Sequence, residues 1–304
     1  MAAPAIGVFL PTMSGRGEAL TDIVAAARQA EALAFESAWV VDQLVAGTGV
    51  PFVDSTVALS AAAGATSSIR LAYGVMILPL RPVVWAAKQV ASLQLVSGDR
   101  LVLGVGVGGD RHNLSWDASG VPRRERGRRT DAALAVLPDL IAGKAVAIDG
   151  ATVQLAPGVA VPPIVVGGMA DAALGRAAAH GDGWFTLPIP PAQIAPAGER
   201  LAELAAGLGR PVPAITASMV VAIDGDPALP DRDGLVQELS DPDGVYGMPA
   251  EAVPDMLVTG GPAAAAERIS ELQAIGAERV VVTLAAGTWS RQAELLAEAA
   301  TLLD

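Results

Sequence analysis

Cysteine is absent from this 304-residue chain. That excludes disulfides, thiolate nucleophiles and cysteine-based metal sites. Histidine occurs only at His112 and His180, too few and too far apart for a zinc site, so no metal is expected. Lysine also occurs twice, against eighteen arginines. Basic residues number 20 and acidic ones 32, a net charge of -12. Such a chain lacks the basic footprint that releases counterions from nucleic-acid phosphates. No apolar run reaches the ~18 residues that would span a bilayer. The opening MAAPAIGVFLPTM has neither the basic start nor the long apolar stretch of a signal peptide. Neither a GxSxG elbow nor a P-loop lysine motif supports a hydrolase or an NTPase. The arginine and alanine bias suits a GC-rich genome, and a bacterial cytoplasm is the expected setting.

What is present is apolar. Hydrophobic residues make up 52% and charged residues 17%, too apolar for disorder. A chain of this length buries roughly three quarters of its unfolded surface. Residues 1–152 are neutral overall, and the whole charge of -12 falls in residues 153–304. Nine acids and the single Arg232 lie between Asp224 and Asp255. This stretch reads as a solvated surface insertion or an acidic lobe for a partner.

Short Val/Ile/Leu runs alternate with longer Ala-rich stretches of helical spacing. Strands are predicted at Ala5–Leu10, Ser37–Val41, Ile69–Leu78, Arg100–Val107, Pro163–Val166, Gly183–Leu187, Val212–Ile223 and Arg279–Ala285. Helices are predicted at Glu18–Phe35, Asp54–Ala65, Val83–Val96, Glu125–Ile141, Ala170–His180, Pro191–Leu208, Pro262–Ile275 and Ser290–Leu303. A hairpin is expected within 143–162. Eight strand–helix units in about 300 residues fit an α/β fold, a (β/α)8 TIM barrel with insertions after strands 4 and 7. A doubly wound open sheet is the alternative. No linker divides residues 1–304, so one domain is expected.

Gly104-Val-Gly-Val-Gly108-Gly109 contains GxGxxG. A dinucleotide fingerprint opens a helix directly after its strand, yet Pro122 lies ahead and no helical pattern starts before Glu125. These glycines read better as room for a ligand ring at the strand end. Val165-Val166-Gly167-Gly168-Met169 ends a buried strand where a helix begins. It is either a phosphate site at a helix N-terminus or a tight turn without a ligand. Asp42-Gln43 closes the second strand, where a barrel places active-site residues; a helix cap is the other reading, although Asp54 caps the next helix better. Gly74 inside the third strand marks a bulge, a close approach or corner packing. The run Arg123–Arg129 is an anion clamp, or a solvated helix start or subunit contact. Basic charge at a helix start opposes the dipole, so a partner acid is expected. His112 and His180 read as structural.

Three segments together resemble the bacterial luciferase-like superfamily of flavin- and coenzyme F420-dependent oxidoreductases. They are Tyr73-Gly-Val-Met-Ile-Leu-Pro-Leu-Arg-Pro82 running on through Ala87-Lys-Gln-Val to Gly108, Pro162-Pro-Ile-Val-Val-Gly-Gly168 with Asp171 through Phe185, and the helix start Arg126-Gly-Arg-Arg-Thr-Asp131. The resemblance implies a (β/α)8 barrel holding a flat tricyclic cofactor at its C-terminal face. It places a non-prolyl cis peptide at Gly74–Val75, against the cofactor's central ring. It puts the cofactor phosphate at Gly167, Gly168 and Met169, and Thr186 near the cofactor tail. Val107 and Gly108, at the end of the fourth strand, complete the implied cofactor site. Asp42 matches an acidic residue near the ring, and Asp42 and Gln43 are the implied catalytic residues.

Two departures matter. Similar sugar-phosphate and alcohol dehydrogenases carry histidine where Gln43 stands. The sugar-phosphate enzymes carry glutamate where Val107 stands. Glutamine cannot act as a base near neutral pH. The expected activity is hydride transfer between F420 and a small organic substrate, with the cofactor supplying the chemistry. The alternatives are an FMN-dependent monooxygenase and a non-catalytic flavin-binding or assembly barrel. F420 leads because the chain is compact and its coding bias suits actinobacteria. A homodimer is compatible with the resemblance, in which dimerisation is common. Substrate lining is expected from 108–124 and 224–260.

Overall fold

The structure, a computed structural model, describes residues 3–15, 17–109, 113–241 and 248–303. Its strands are β1 (Ala5–Phe9), β2 (Ser37–Val40), β3 (Arg70–Tyr73), β4 (Met76–Ile77) and β5 (Leu101–Gly106), then a hairpin β6 (Val146–Ile148) and β7 (Ala151–Val153), then β8 (Ile164–Gly167), β9 (Gly183–Phe185), β10 (Ala214–Ile223), β11 (Leu257–Gly260) and β12 (Ala277–Leu284). The helices are α1 (Ile23–Ala32), α2 (Ser55–Ala65), α3 (Val83–Ser97), α4 (Leu114–Ser119), α5 (Arg126–Ile141), α6 (Asp171–His180), α7 (Pro191–Gly207), α8 (Arg232–Ser240), α9 (Val253–Met256), α10 (Pro262–Ala274) and α11 (Trp289–Ala300).

Eight parallel strands close into a barrel. The order is β1, β2, β3, β5, β8, β9, β10 and β12, with β12 returning to β1 and β4 extending β3 along β5. The expected (β/α)8 barrel is therefore the observed fold. Strands β2 and β5 are buried along their whole length, which is why they read as continuous apolar runs. Asp22, Asp54 and Asp231 cap α1, α2 and α8 by accepting first-turn amide N–H groups. Gly98 ends α3 in the left-handed conformation.

Three expectations need correction. The first helix starts at Ile23, not Glu18, because Asp22 is its cap. Ahead of it the chain after β1 is held to the loop before α2, with Val53 N–H donating to the Thr12 carbonyl and Met13 bridging Phe52. The third strand breaks into β3 and β4 around Gly74–Val75. The stretch after the seventh strand is not merely a solvated insertion. Its strand β11 pairs with Val220–Ile223 of β10, and Val220, Leu239, Val253 and Ala285 form a small buried core. The three-residue β9 covers only Ala214–Thr216 of β10, and β11 takes over the upper half of β10 on that side.

Trp39 fills the barrel centre with no exposed surface. Its ring stacks on Phe185 at 5.2 Å, and Phe9 lies tilted against it at 6.4 Å. Glycines make the room. A Cβ at Gly7 would come within 2.6 Å of Ser37 Oγ and Trp39 Nε1, and one at Gly74 within 3.0 Å of Phe9 and Trp39. Below the ring, the Arg279 guanidinium binds both oxygens of Glu36. Burial would raise the Glu36 carboxyl, but Arg279 holds it below its ordinary value.

A Cβ at Gly104 would overlap the Tyr73 carbonyl oxygen. Gly104→Ala is therefore expected to lower stability by about 3 kcal/mol. Gly175→Ala in α6, where nothing lies within 4 Å of the added carbon, should raise it by up to about 1 kcal/mol. Thermal melts of the two variants check both signs.

Candidate active site

Parallel strands put all their C-terminal ends on one face, and the residues expected to form the site meet there. Asp42 and Gln43 follow β2, Gly74 and Val75 separate β3 from β4, and Val107 and Gly108 follow β5. Gly167 ends β8, with Gly168 and Met169 leading to α6, and Thr186 follows β9. The Gly74–Val75 peptide is cis.

Asp42 is buried and fully engaged. Its Oδ1 accepts from Ser55 Oγ and Arg81 Nη2, each at 2.7 Å. Its Oδ2 accepts from the Ile77 amide at 2.7 Å and Arg81 Nη1 at 2.6 Å. Four donors leave no free lone pair for a substrate proton. These bonds tie β2 to β4, α2 and the start of α3. Burial would lower the Arg81 guanidinium, but Asp42 raises it above its ordinary value. Gln43 is half-buried beside α4, 3.5 Å from Ser115 Oγ. Burial pushes the neighbouring Tyr73 phenol above its ordinary value, and its hydroxyl pairs with Thr56 Oγ1.

The glycines after Leu103 serve the protein itself. A Cβ at Gly106 would come within 2.6 Å of the Val75 side chain, and one at Gly167 within 3.2 Å. Gly108, at φ +80°, faces Trp116 and Ile77. The room expected for a ligand ring at Gly104 and Gly106 is thus taken by Tyr73 and Val75. Trp116 packs with Ile77 and Val121, so residues 113–121 buttress β4. Gly168, at φ +123°, makes a turn locked by two bonds. Its N–H donates to the Phe185 carbonyl, and Trp184 Nε1 donates to its own carbonyl. No side chain caps α6, which starts just beyond. Thr186 is buried, donating to the Leu187 carbonyl and accepting from the Ser218 amide.

A cavity of about 590 Å³ opens at this face. Phe9, Val41, Gly74, Phe185, Thr186, Ser218 and Thr283 form its floor from strand ends. Leu10–Gly15 and Glu18 come from the segment before α1, and Ala228, Pro230, Glu238 and Met248 from the stretch after β10. Of the two stretches expected to line a substrate, 224–260 contributes those four residues to this cavity, and the described residues of 108–124 contribute none. The other expected site residues sit around the mouth and do not line it. His180 ends α6, whose other end faces the mouth, and His112 lies outside the described residues. Among the described residues no group of three or more His, Cys, Asp or Glu is placed to hold a metal, and no helix is long and apolar enough to cross a membrane.

A family model for luciferase-like monooxygenases matches residues 5–233. The chain belongs to the luciferase-like monooxygenase family. An uncharacterized protein of Mycobacterium tuberculosis is 36% identical over 143 residues, covering 45% of this chain and 49% of that protein. A Mycobacterium bovis protein matches to the same extent, so the match spans about half the length of these curated relatives. An F420-dependent secondary alcohol dehydrogenase, solved with an F420–acetone adduct, shares the fold at a TM-score of 0.80 and 17% identity, over 98% of each chain. The oxygenating constituent of 3,6-diketocamphane monooxygenase from Pseudomonas putida, solved with FMN, does so at 0.77 and 16%, over 99% of each.

Two parts of this luciferase-like site escaped the sequence reading. Arg81 is the only charged side chain between Leu71 and Ala87, a signal that it answers a buried carboxylate. Asp226 ties two loops of the cavity wall together. Its Oδ1 accepts from the Ala228 amide at 3.0 Å and its Oδ2 from the Thr288 amide at 2.6 Å. Gln292, beside it, clasps the Ile223 backbone through both its donor and its acceptor. The Asp-Pro-Ala turn at 226–228 carried that signal, since aspartate commonly bonds the amide two residues on.

Arg81→Met leaves the Asp42 charge buried without its partner, and should cost about 3 kcal/mol in chemical denaturation. Burial would raise the Asp226 carboxyl, but the Ala228 and Thr288 amides hold it below its ordinary value. Its stabilisation is therefore full above the unfolded value and fades as the pH falls through the folded one. Tryptophan emission, to which the cavity residue Trp289 contributes, should shift below about pH 4. Asp226→Asn should show the shifted emission already at pH 7.

Proposed function

We propose that this luciferase-like chain is an oxidoreductase that moves a hydride between F420 and a small organic substrate. The observation that carries this reading is the cavity floor. Gly74 presents backbone to a chamber whose lining, among the described residues, contains no histidine, lysine or tyrosine. Its two ionisable lining residues, Glu18 and Glu238, come from outside the strand ends. With Asp42 saturated, the strand ends among the described residues offer no free side chain for proton transfer near neutral pH, a lining suited to chemistry that a bound redox group supplies.

The residues present fit such a group. A chamber of about 590 Å³ suits a flat ring with a small substrate beside it. Gly74 and Val75 would support the ring. The turn Gly167–Gly168–Met169 and the uncapped first turn of α6 would hold a phosphate, whose charge the helix dipole favours. Val107, Gly108 and Thr186 would flank it. Gln43 can orient a substrate oxygen by hydrogen bonding. When bound, F420 supplies or accepts a hydride. Around it, the chain's apolar walls exclude water, and Asp42 with Arg81 keeps the Val75–Ile77 backbone in place.

Charge supports F420. Exposed Arg124 and Arg128 lie on the β5 side of the mouth, and Arg128 meets the expected partner acid in Glu125 at 3.2 Å. Glu18 and Glu238 lie elsewhere on the cavity rim. An acidic cofactor tail would be steered toward the arginines. The similarity of fold to an F420-dependent dehydrogenase agrees. An FMN-dependent monooxygenase is the second reading, favoured by the description of the matching family model and by the FMN-bound neighbour. A cytoplasmic homodimer acting on a small molecule is part of the proposal, as is a single domain spanning residues 1–304.

Fluorescence titration separates the readings. F420 is expected to bind more tightly than FMN, and Gly168→Asp to weaken F420 binding at least tenfold. Preferential binding of FMN, with oxygen consumed on its reduction, would move the assignment to a monooxygenase. Binding of neither would refute the oxidoreductase reading.

A further inference from the structure

The floor of the cavity carries two hydroxyls that the proposed hydride transfer does not use. Strand alternation fixes the side on which they lie. On β10, Ala217, Met219 and Val221 pack into the core shared with the outer helices, so Thr216, Ser218 and Val220 face the barrel interior. On β12, Val280 and Val282 belong to that outer core, while Val281 packs inside with Trp39, so Thr283 faces inward as well. The two strands are neighbours, with Ser218 beside Val281 and Val220 beside Thr283. Thr283 therefore stands one inward step above Ser218, and both line the cavity.

Ser218 is the more confined of the two, at 6% exposed. Its amide donates to the Thr186 hydroxyl, in the gap between the part of β10 that β9 covers and the part that β11 covers. Its position is thus fixed from both sides. Its own hydroxyl meets no hydrogen-bond partner among the described residues. Unlike the partnerless Thr12 hydroxyl, which is sealed in protein, it keeps accessible surface at the chamber. A buried polar group without a partner requires an explanation, and one open to a cavity is explained by what the cavity takes in. The Thr283 hydroxyl also meets no partner among the described residues. Around the barrel, β10 lies four strands from β3, and β12 four from β5. The two hydroxyls therefore lie across the chamber from Gly74, Val75, Val107 and Gly108, the side proposed to carry the cofactor ring.

We infer that Ser218, with Thr283 above it, receives the oxygen of a small neutral carbonyl compound, whose apolar body lies among Phe9, Phe185 and Trp289. A hydroxyl that finds no acceptor in the protein has its proton to offer, and a carbonyl oxygen has two lone pairs to accept with. An anion would bring its charge to a floor that holds no cation among the described residues. Calling the ligand a substrate rests on the oxidoreductase reading. The preference for a neutral carbonyl rests on the cavity alone. Ser218 is then the residue that selects the ligand and sets its orientation.

Calorimetric titration of the full chain, with and without saturating F420, tests this with three probes of similar shape: acetophenone, ethylbenzene and benzoate. Acetophenone is expected to bind at least tenfold more tightly than either of the others. Its preference over ethylbenzene should hold from about pH 6 to about pH 9, where neither hydroxyl titrates. Ser218→Ala should cut that preference at least fivefold, and Ser218→Ala/Thr283→Val should bring the two probes within about twofold. The melting temperature of unliganded Ser218→Ala should not fall, because the hydroxyl removed has no partner in the fold. Equal binding of acetophenone and ethylbenzene, no measurable acetophenone binding, tighter binding of benzoate, or a preference that survives in Ser218→Ala would overturn the subsite. A lowered melting temperature in that variant would do the same, by assigning the hydroxyl to the fold. F420 binding, read separately by its own fluorescence, keeps the two proposals apart. Its loss with the carbonyl preference intact removes the oxidoreductase reading alone, and its presence without that preference removes the subsite alone.

Discussion

The mouth of this barrel depends on one carboxylate. Asp42 gathers four donors from three places in the chain: the Ser55 hydroxyl at the start of α2, the Ile77 amide in β4 and the Arg81 guanidinium before α3. These elements surround the break between β3 and β4, where the strand leaves its regular path. A buried carboxylate is tolerated only when paired and bonded, and here every lone pair is used. The reward is rigidity where the chain would otherwise lack it. Gly74 keeps one backbone bond to β2, its N–H donating to the Val40 carbonyl at 2.7 Å, and the knot fixes the chain on either side of the break.

Much of the barrel was legible because its strands are buried on both faces and read as unbroken apolar runs. The strand ends followed from that, and so did the clustering of Asp42, Gly74, Gly108, Gly168 and Thr186 on one face. What was not legible depends on partners distant in sequence. Asp42 looked like a free acid because Arg81, 39 residues on, cannot be recognised as its partner from local pattern. Gly104 and Gly106 looked like space for a ligand because sequence does not show that Tyr73 and Val75 occupy it. Strand β11 was hidden in an acidic stretch whose composition suggested solvent, yet the shortness of β9 left β10 backbone to be paired. Glu18 was assigned to a helix that Asp22 in fact begins four residues later.

Rigidity and charge are divided around the face. The β3–β5 side is braced by Asp42, Arg81 and Trp116 and carries exposed arginines. The cavity side is walled by loops joined through Asp226, and its rim carries the carboxylates Glu18 and Glu238. Parallel strands bring both halves to the same opening from segments far apart in the chain, so each half can carry its own chemistry on a common floor.

That floor also limits how the sequence can change. Trp39 occupies space that Gly7 and Gly74 leave vacant from two neighbouring directions. A side chain at Gly74 also meets Phe9, and one at Gly7 also meets Ser37 Oγ, so neither glycine is replaceable until Trp39 and that second neighbour have both given way. The positions therefore drift together or not at all. In descendants of this chain the order of substitution at them is set by volume, with the glycines changing last.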